Sequence, residues 1–411
     1  MKVSGSATQL AAANNPYRWV MLLGVWLLYF SFGLAVTCIA PLVEPIKADL
    51  NISYTAIGII LGIWQFVYIG SAIPCGILLD KLGARLALII GGGIITTSMC
   101  LRAYAPDFAS MVLAVMLFGV GGPIISAGAP KLIAELFQGS GRGLAMGIYM
   151  TGPAIGGIIS LTLTHSLLLP SLDNDWRQIM LLWAGICAFC TVTWAAISYS
   201  NKPLTIAESS TEQPQGQLKV IAMIIREPAV LIVMLMSVGV FFINHGLNNW
   251  LPELLRSEGM SQTQAGYWSA IPTIIGIAGS LLIPRLATPE RRFNILIGLS
   301  LAAMAASFLL QYQEPTILFL GLFLQGVARS ALMTILILTL VELPAIGERY
   351  AGVASGFFFS AAEVGGVLGP VSLGLLYDFS HSFTLSLYLV SFVALLTTLG
   401  AVRLKGLARE S

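Results

Sequence analysis

The chain carries twelve runs of predominantly apolar residues, each close to 20 residues or longer, and nothing else in it constrains the fold as strongly. They cover residues 18–43, 54–79, 84–104, 108–134, 141–169, 177–199, 229–251, 264–286, 293–311, 315–340, 350–377 and 383–402. About 20 apolar residues in a helix cross the hydrocarbon core of a bilayer. Backbone amides facing lipid have no water to bond, so such runs are expected as helices. The runs therefore predict an all-α membrane protein with 12 transmembrane helices and the lipid bilayer as its solvent. Composition agrees: 57% of the 411 residues are hydrophobic and 10% charged, against about 25% charged in soluble domains. These figures exclude a soluble enzyme, a disordered chain and a coiled coil. A net charge of +2 supplies no broad basic surface, so no nucleic-acid partner is expected.

Most connections between the runs are short. The exception, residues 201–228, is polar and interrupted by Pro214 and Gly216, the composition of a flexible linker. It divides the chain into an N-terminal six-helix bundle (1–200), a cytoplasmic linker (201–228) and a C-terminal six-helix bundle (229–411). With the N-terminus placed inside, fifteen Lys and Arg fall in inside segments. Four, Lys47, Arg102, Arg177 and Arg256, fall outside, and Lys131 and Arg329 lie within spans. That bias places both termini in the cytoplasm. The first 16 residues are polar, and no short apolar region with a cleavage site follows them, so no removable signal peptide is expected. The five cysteines, including the Cys187/Cys190 pair, sit in apolar helix without accompanying histidines. They are read as packing residues, with no metal or cofactor implied.

The two halves look like copies. Gly143, Gly147 and the pair Gly156-Gly157 recur as Gly352, Gly356 and Gly365-Gly366, 209 residues on. Glu135 and Arg142 flank the loop after span 4 as Glu342 and Arg349 flank the loop after span 10. A duplicated unit of this kind is the architecture of many secondary transporters. The glycines let helix backbones approach closely.

These residues carry a family resemblance. Gly76, Asp80, Lys81, Gly83 and Arg85, between spans 2 and 3, resemble the signature loop of the major facilitator superfamily. Glu135 with Arg142, Gly143 and Gly147 resembles its loop between spans 4 and 5, and Gly152-Pro153 its span-5 motif. The resemblance covers the whole chain and implies two pseudo-symmetric six-helix bundles working by alternating access. In the second copy, Thr288 stands where Asp80 would map. Asn244, His245, Gly246, Asn248, Asn249 and Trp250 in span 7 resemble the cyanate-type anion porters within the superfamily. The resemblance further implies a gate. Asp80 accepts hydrogen bonds from a neighbouring helix end and pairs with Arg142, while Lys81 and Arg85 meet the C-terminal ends of adjacent helices.

Ionised side chains inside a membrane are expensive and mark function. Arg329 falls in the middle of span 10, Glu363 in the middle of span 11 and Lys131 in the inner half of span 4. Arg329 and Glu363 have no charged counterpart in the other half, so they are candidates for cargo rather than scaffold. A guanidinium matches a carboxylate or other planar anion. Gln325 lies one turn away on the same face. Lys131 either adds a second positive charge or pairs with Glu135. Glu363 is either a proton carrier responding to cargo at Arg329 or the fixed partner of Arg329. Asn244, His245 and Asn248 suit a broken helix lining a cavity, with Gln65 and Tyr68 of span 2 as further lining.

The expectation is a secondary transporter in the cell membrane, a monomer, moving a small anion with protons. The alternatives are a proton-driven exporter of lipophilic compounds, favoured by Gly152-Pro153, and a non-transporting receptor with a transporter-like fold. An enzyme is not expected, because no nucleophile with a base, metal cluster or phosphate loop is visible.

Overall fold

The computed structural model describes residues 15–137, 140–200, 226–288, 290–343 and 346–410. Most of the expected linker, residues 201–225, lies outside the described residues. The long helices are α1 (Tyr17–Thr37), α2 (Tyr54–Ala103), α3 (Phe108–Leu136), α4 (Ser140–Leu163), α5 (Trp176–Ser200), α6 (Pro228–Ser257), α7 (Gln262–Leu286), α8 (Arg292–Leu309), α9 (Pro315–Val341), α10 (Gly347–Ser380) and α11 (Thr384–Glu410). A 3-10 turn, Ala40–Leu42, and a short helix, Val43–Leu50, join α1 to α2. Among the described residues, eleven helices are long and apolar enough to cross a membrane.

Eleven rather than twelve results from one junction. Residues 54–79 and 84–104 are expected as separate spans, with the signature loop between them. The range Tyr54–Ala103 holds both as two helices that meet at a kink at Gly83, with no separate loop between them. At 1.5 Å per residue the two segments together hold about 75 Å of helix, enough for two crossings of a bilayer core. The break is confined to Gly83, whose φ of 74° and ψ of 157° are not helical. Only glycine enters that region without steric cost.

Local signals set several helix starts. Asp107 accepts from the Ser110 amide at 2.8 Å and Ser110 returns a bond to the Asp107 backbone, a reciprocal cap for α3. That amide holds the Asp107 carboxyl below its usual range. Ser261 and Gln264 form the same box at α7. Pro228 and Pro315 open α6 and α9, where a missing amide hydrogen costs nothing.

Contacts divide the chain into two compact units, Met1–Leu42 with Val67–Thr211 and Val43–Phe66 with Glu212–Ser411. The start of α2 thus counts with the C-terminal helices. Within the first unit α1 packs most closely on α4, and within the second α6 packs most closely on α10. The repeated glycines make these two contacts. A Cβ at Gly156 would strike the Phe30 carbonyl of α1, and one at Gly365 would strike the Val238 carbonyl of α6. Small residues at such crossings let backbones touch where lipid gives no hydrophobic drive.

Arg102, counted with the outside segments, lies in the last turn of α2 and is buried, with 1% of its surface exposed. It donates to the Ala35 carbonyl at 2.8 Å, near the end of α1, and stacks over Phe118 at 5.3 Å. A cation on the last carbonyls of a helix is favourable placement.

Candidate functional site

The second unit holds most of the residues expected to line a cargo site. Arg329 projects from α9 and donates from Nη1 to Asn248 Oδ1 at 2.7 Å and to Thr273 Oγ1 at 3.1 Å. Its Nε and Nη2 edge has no hydrogen-bond partner among the described residues, and no carboxylate forms an ion pair with it there. Arg329, Gln325 and Asn244 line one small cavity with Val240, Ile243 and Leu247 of α6. Its volume, about 10 Å³, is room for one water.

Asn248 and His245 lie on one face of α6, three residues apart. Gln65 Nε2 stands 3.1 Å from His245 Nδ1. The His245 ring is flanked by Trp64 and Phe241, with centroids 5.9 and 5.2 Å away. Three of these groups converge on the backbone of Gly366. A Cβ there would meet Glu363 Oε2 at 2.9 Å, Gln65 Cγ at 3.2 Å and His245 Cδ2 at 3.4 Å. The repeat-equivalent Gly157 faces only the Thr37 side chain. Gln65, Gln325 and Glu363 are 0%, 5% and 6% exposed. Their Gln65 Oε1, Gln325 Oε1 and Glu363 Oε2 atoms have no hydrogen-bond partner among the described residues. Buried polar atoms almost always find partners; among the unpartnered ones, Gln325 Oε1 belongs to the Arg329 cavity, and Gln65 and Glu363 meet beside Gly366.

Several expectations are corrected here. The fixed Arg329–Glu363 pair is absent among the described residues, since Asn248 and Thr273 hold the guanidinium. The helix carrying Asn244, His245 and Asn248 is not broken. α6 is continuous to Ser257 through Pro252. Asn249 turns back along it, donating to the His245 carbonyl at 2.9 Å.

The remaining candidates lie in the first unit. Lys131 pairs with Asp80 at 2.6 Å, with 26% and 44% of the side chains exposed. Neither the Lys131–Glu135 pair nor the Asp80–Arg142 pair is therefore the observed one. Arg142 donates to the Ala134 and Phe137 carbonyls at 2.6 and 3.2 Å, closing the end of α3. Glu135 Oε2 is buried without a hydrogen-bond partner among the described residues. Lys81 is exposed, and the Arg85 carbonyl accepts from Trp194 Nε1 at 3.2 Å. Tyr68 bonds Ser126 at 2.8 Å. In the other copy Arg292 pairs with Glu342, while the Arg349 side chain lies outside the described residues.

Sequence reasoning missed Thr273, which is unremarkable in an apolar helix, and a cluster at the start of α2. There Asp378 accepts from the Tyr54 and Thr55 amides at 3.0 and 2.7 Å and from Thr55 Oγ1 at 2.6 Å. The Tyr54 hydroxyl donates to Glu253 at 2.7 Å, and Arg256 holds Glu253 with two hydrogen bonds, at 2.6 and 2.8 Å. Arg256 also reaches Glu44 at 3.3 Å. Glu253 and Arg256 are three residues apart on α6, a spacing that makes a helical ion pair readable. Among the described residues no group of three or more His, Cys, Asp or Glu is arranged to hold a metal ion.

Comparison with known proteins adds the following. Residues 25–370 match the model of the Major Facilitator Superfamily. A quinolone resistance transporter of Acinetobacter baumannii is 27% identical, covering 85% of this chain and 84% of its own. A hexuronate transporter of Bacillus subtilis is 22% identical over 90% and 89%. Among solved structures, the nucleoside transporter NupG superposes with a TM-score of 0.78 at 14% identity, covering 93% of this chain and 99% of that one.

Proposed function

Starting from a chain that belongs to the major facilitator superfamily, and is therefore a multi-pass membrane transporter and not an enzyme, we propose that its cargo is a small anion carried with protons. The observation that carries this reading is the state of Arg329. Neutral groups on Asn248 and Thr273 occupy one nitrogen and fix the plane of the guanidinium. Its other edge keeps donors in the fork geometry that matches a carboxylate. A buried charge without a counter-charge is costly. An anion that arrives, compensates it and leaves gives that cost a purpose.

Glu363 is the proton carrier in this reading. Its carboxyl lies near the Gln65 and His245 end of the same unit, with an oxygen left unbonded. Uptake or release of its proton changes the charge balance as cargo comes and goes. Counting α2 as two crossings hinged at Gly83 gives twelve spans in two six-helix halves. The basic residues then put both termini in the cytoplasm of a cell-membrane protein acting as a monomer. The Asp80–Lys131 pair becomes a latch of the inward side during alternating access. Such a partly exposed pair is worth about 1 kcal/mol or less, light enough to open in each cycle.

A thermal-shift screen of small anions on purified protein tests the cargo site. One class is expected to stabilise the wild type and to lose that effect in Arg329→Ala, since ligand binding to the folded state raises its stability. Equal stabilisation of both proteins would move the site elsewhere. In vesicles, Glu363→Gln is expected to retain anion exchange and lose uptake driven by a pH gradient. The similarity to a quinolone resistance transporter and the Gly152-Pro153 motif favour a second reading, export of lipophilic compounds. An exporter of that kind would tolerate Arg329→Ala.

A further inference from the structure

We infer that Gln65 and Glu363, meeting beside Gly366, form a second subsite that takes a hydroxyl group, so that the cargo is a hydroxylated carboxylate rather than a bare small anion. The inference rests on the anion-carrier reading above and narrows it.

The geometry separates two places in one unit. At the first, Arg329 and Gln325 face a cavity with Asn244. At the second, a Cβ on Gly366 would lie 2.9 Å from Glu363 Oε2 and 3.2 Å from Gln65 Cγ. Gln65 Nε2 is engaged by His245, which leaves Oε1 as the unbonded end of that amide. His245 and Asn248 link the places along one face of α6, since Asn248 bonds Arg329 and His245 bonds Gln65. A cargo whose only polar group is its charge would satisfy Arg329 and leave Gln65 Oε1 and Glu363 Oε2 unbonded. An unbonded buried polar group keeps its full desolvation cost.

Three kinds of group can answer a carboxyl and an amide oxygen. A second carboxylate repels Glu363 when that side chain is ionised. An ammonium suits the ionised form and has nothing to accept the proton of the neutral form. A hydroxyl both donates and accepts, so it bonds Glu363 in either protonation state and can donate to Gln65 Oε1. Glu363 changes protonation during the cycle in the reading above, and of these three groups the hydroxyl alone serves both halves of it. Gly366 is part of the design, because a side chain there would fill the space against which the two groups close.

The test uses full-length purified protein and three probes of one chain length: gluconate, hexanoate and 6-aminohexanoate, with affinity read from concentration-dependent thermal shifts. Gluconate is expected to bind about 100-fold more tightly than hexanoate, because a site built to bond a hydroxyl rejects the analogue that lacks it. Gln65→Leu is expected to reduce that ratio at least about tenfold, and Gln65→Asn, which only shortens the reach, to move it in the same direction. Equal binding of gluconate and hexanoate, a ratio untouched by both variants, or a preference for 6-aminohexanoate would overturn the hydroxyl subsite. If carboxylates bind through Arg329 without regard to hydroxyls, the subsite alone fails. If no carboxylate binds, or if Arg329→Ala binds them as well as the wild type, the anion reading falls and takes the subsite with it.

Discussion

Two arginines inside apolar helices, one in each compact unit, have different surroundings: Arg102 is buried and Arg329 half-buried. Arg102 in the first unit lies 1% exposed, spends its charge on the Ala35 carbonyl and rests over the Phe118 ring. Arg329 in the second unit is held by two neutral side chains and borders a cavity with Gln325 and Asn244. The first arrangement closes a helix end. Both bond through Nη1, and Arg102 Nε also lacks a partner among the described residues; the second differs in bordering a cavity beside Gln325 Oε1, another such atom. A charge in an apolar helix is thus not by itself a binding site; what its hydrogen bonds are spent on decides.

The comparison can be broken by exchanging roles. Arg102→Ala removes the partner of a buried carbonyl and leaves a cavity, at a cost of about 2–4 kcal/mol. Its expected signature is a lowered melting temperature with unchanged anion affinity in the protein that remains folded. An Arg102 variant that folds normally but loses anion binding would erase the distinction.

A second test addresses the scaffold that the halves share. Gly365→Leu forces a side chain into the Val238 carbonyl of α6. Overpacking of this kind costs about 1–3 kcal/mol, and the same change at Gly156 is expected to cost a similar amount, read by thermal unfolding. A tolerated leucine at either position would mean that its helix pair is not locked by backbone contact.

The smallest effect is expected at Asp378, which caps the first amides of α2 from another helix. Asp378→Ala is expected to cost about 1 kcal/mol and to speed hydrogen exchange at Tyr54 and Thr55. Unchanged exchange there would remove the cap from the account.

How much of this could be read from the chain follows from which interactions are local. Arg329 and Glu363 stand out because a charge interrupts an apolar run, and Gln325 follows at the next helical turn. The glycine pairs are legible because duplication repeats their spacing. The partner of Lys131 is not: Asp80 lies 51 residues away, farther than helical periodicity reaches, and the nearer Glu135 looks equally suitable. Thr273 is invisible because threonine is ordinary in apolar helices. The tight junction of the two helices in α2 depends on a single glycine, Gly83, taking up the whole bend. The depth of Arg102 depends on where α1 ends. Such features are set by packing between distant segments, which a one-dimensional pattern does not carry.

The most direct measurement is carboxylate counterflow in vesicles reconstituted with wild-type protein or with Arg329→Ala. The account predicts that wild-type vesicles preloaded with unlabelled gluconate accumulate labelled gluconate, and that Arg329→Ala vesicles do so at least about 100-fold more slowly while the variant keeps its fold. Equal counterflow by the two proteins would contradict the assignment of the anion to the open edge of that guanidinium.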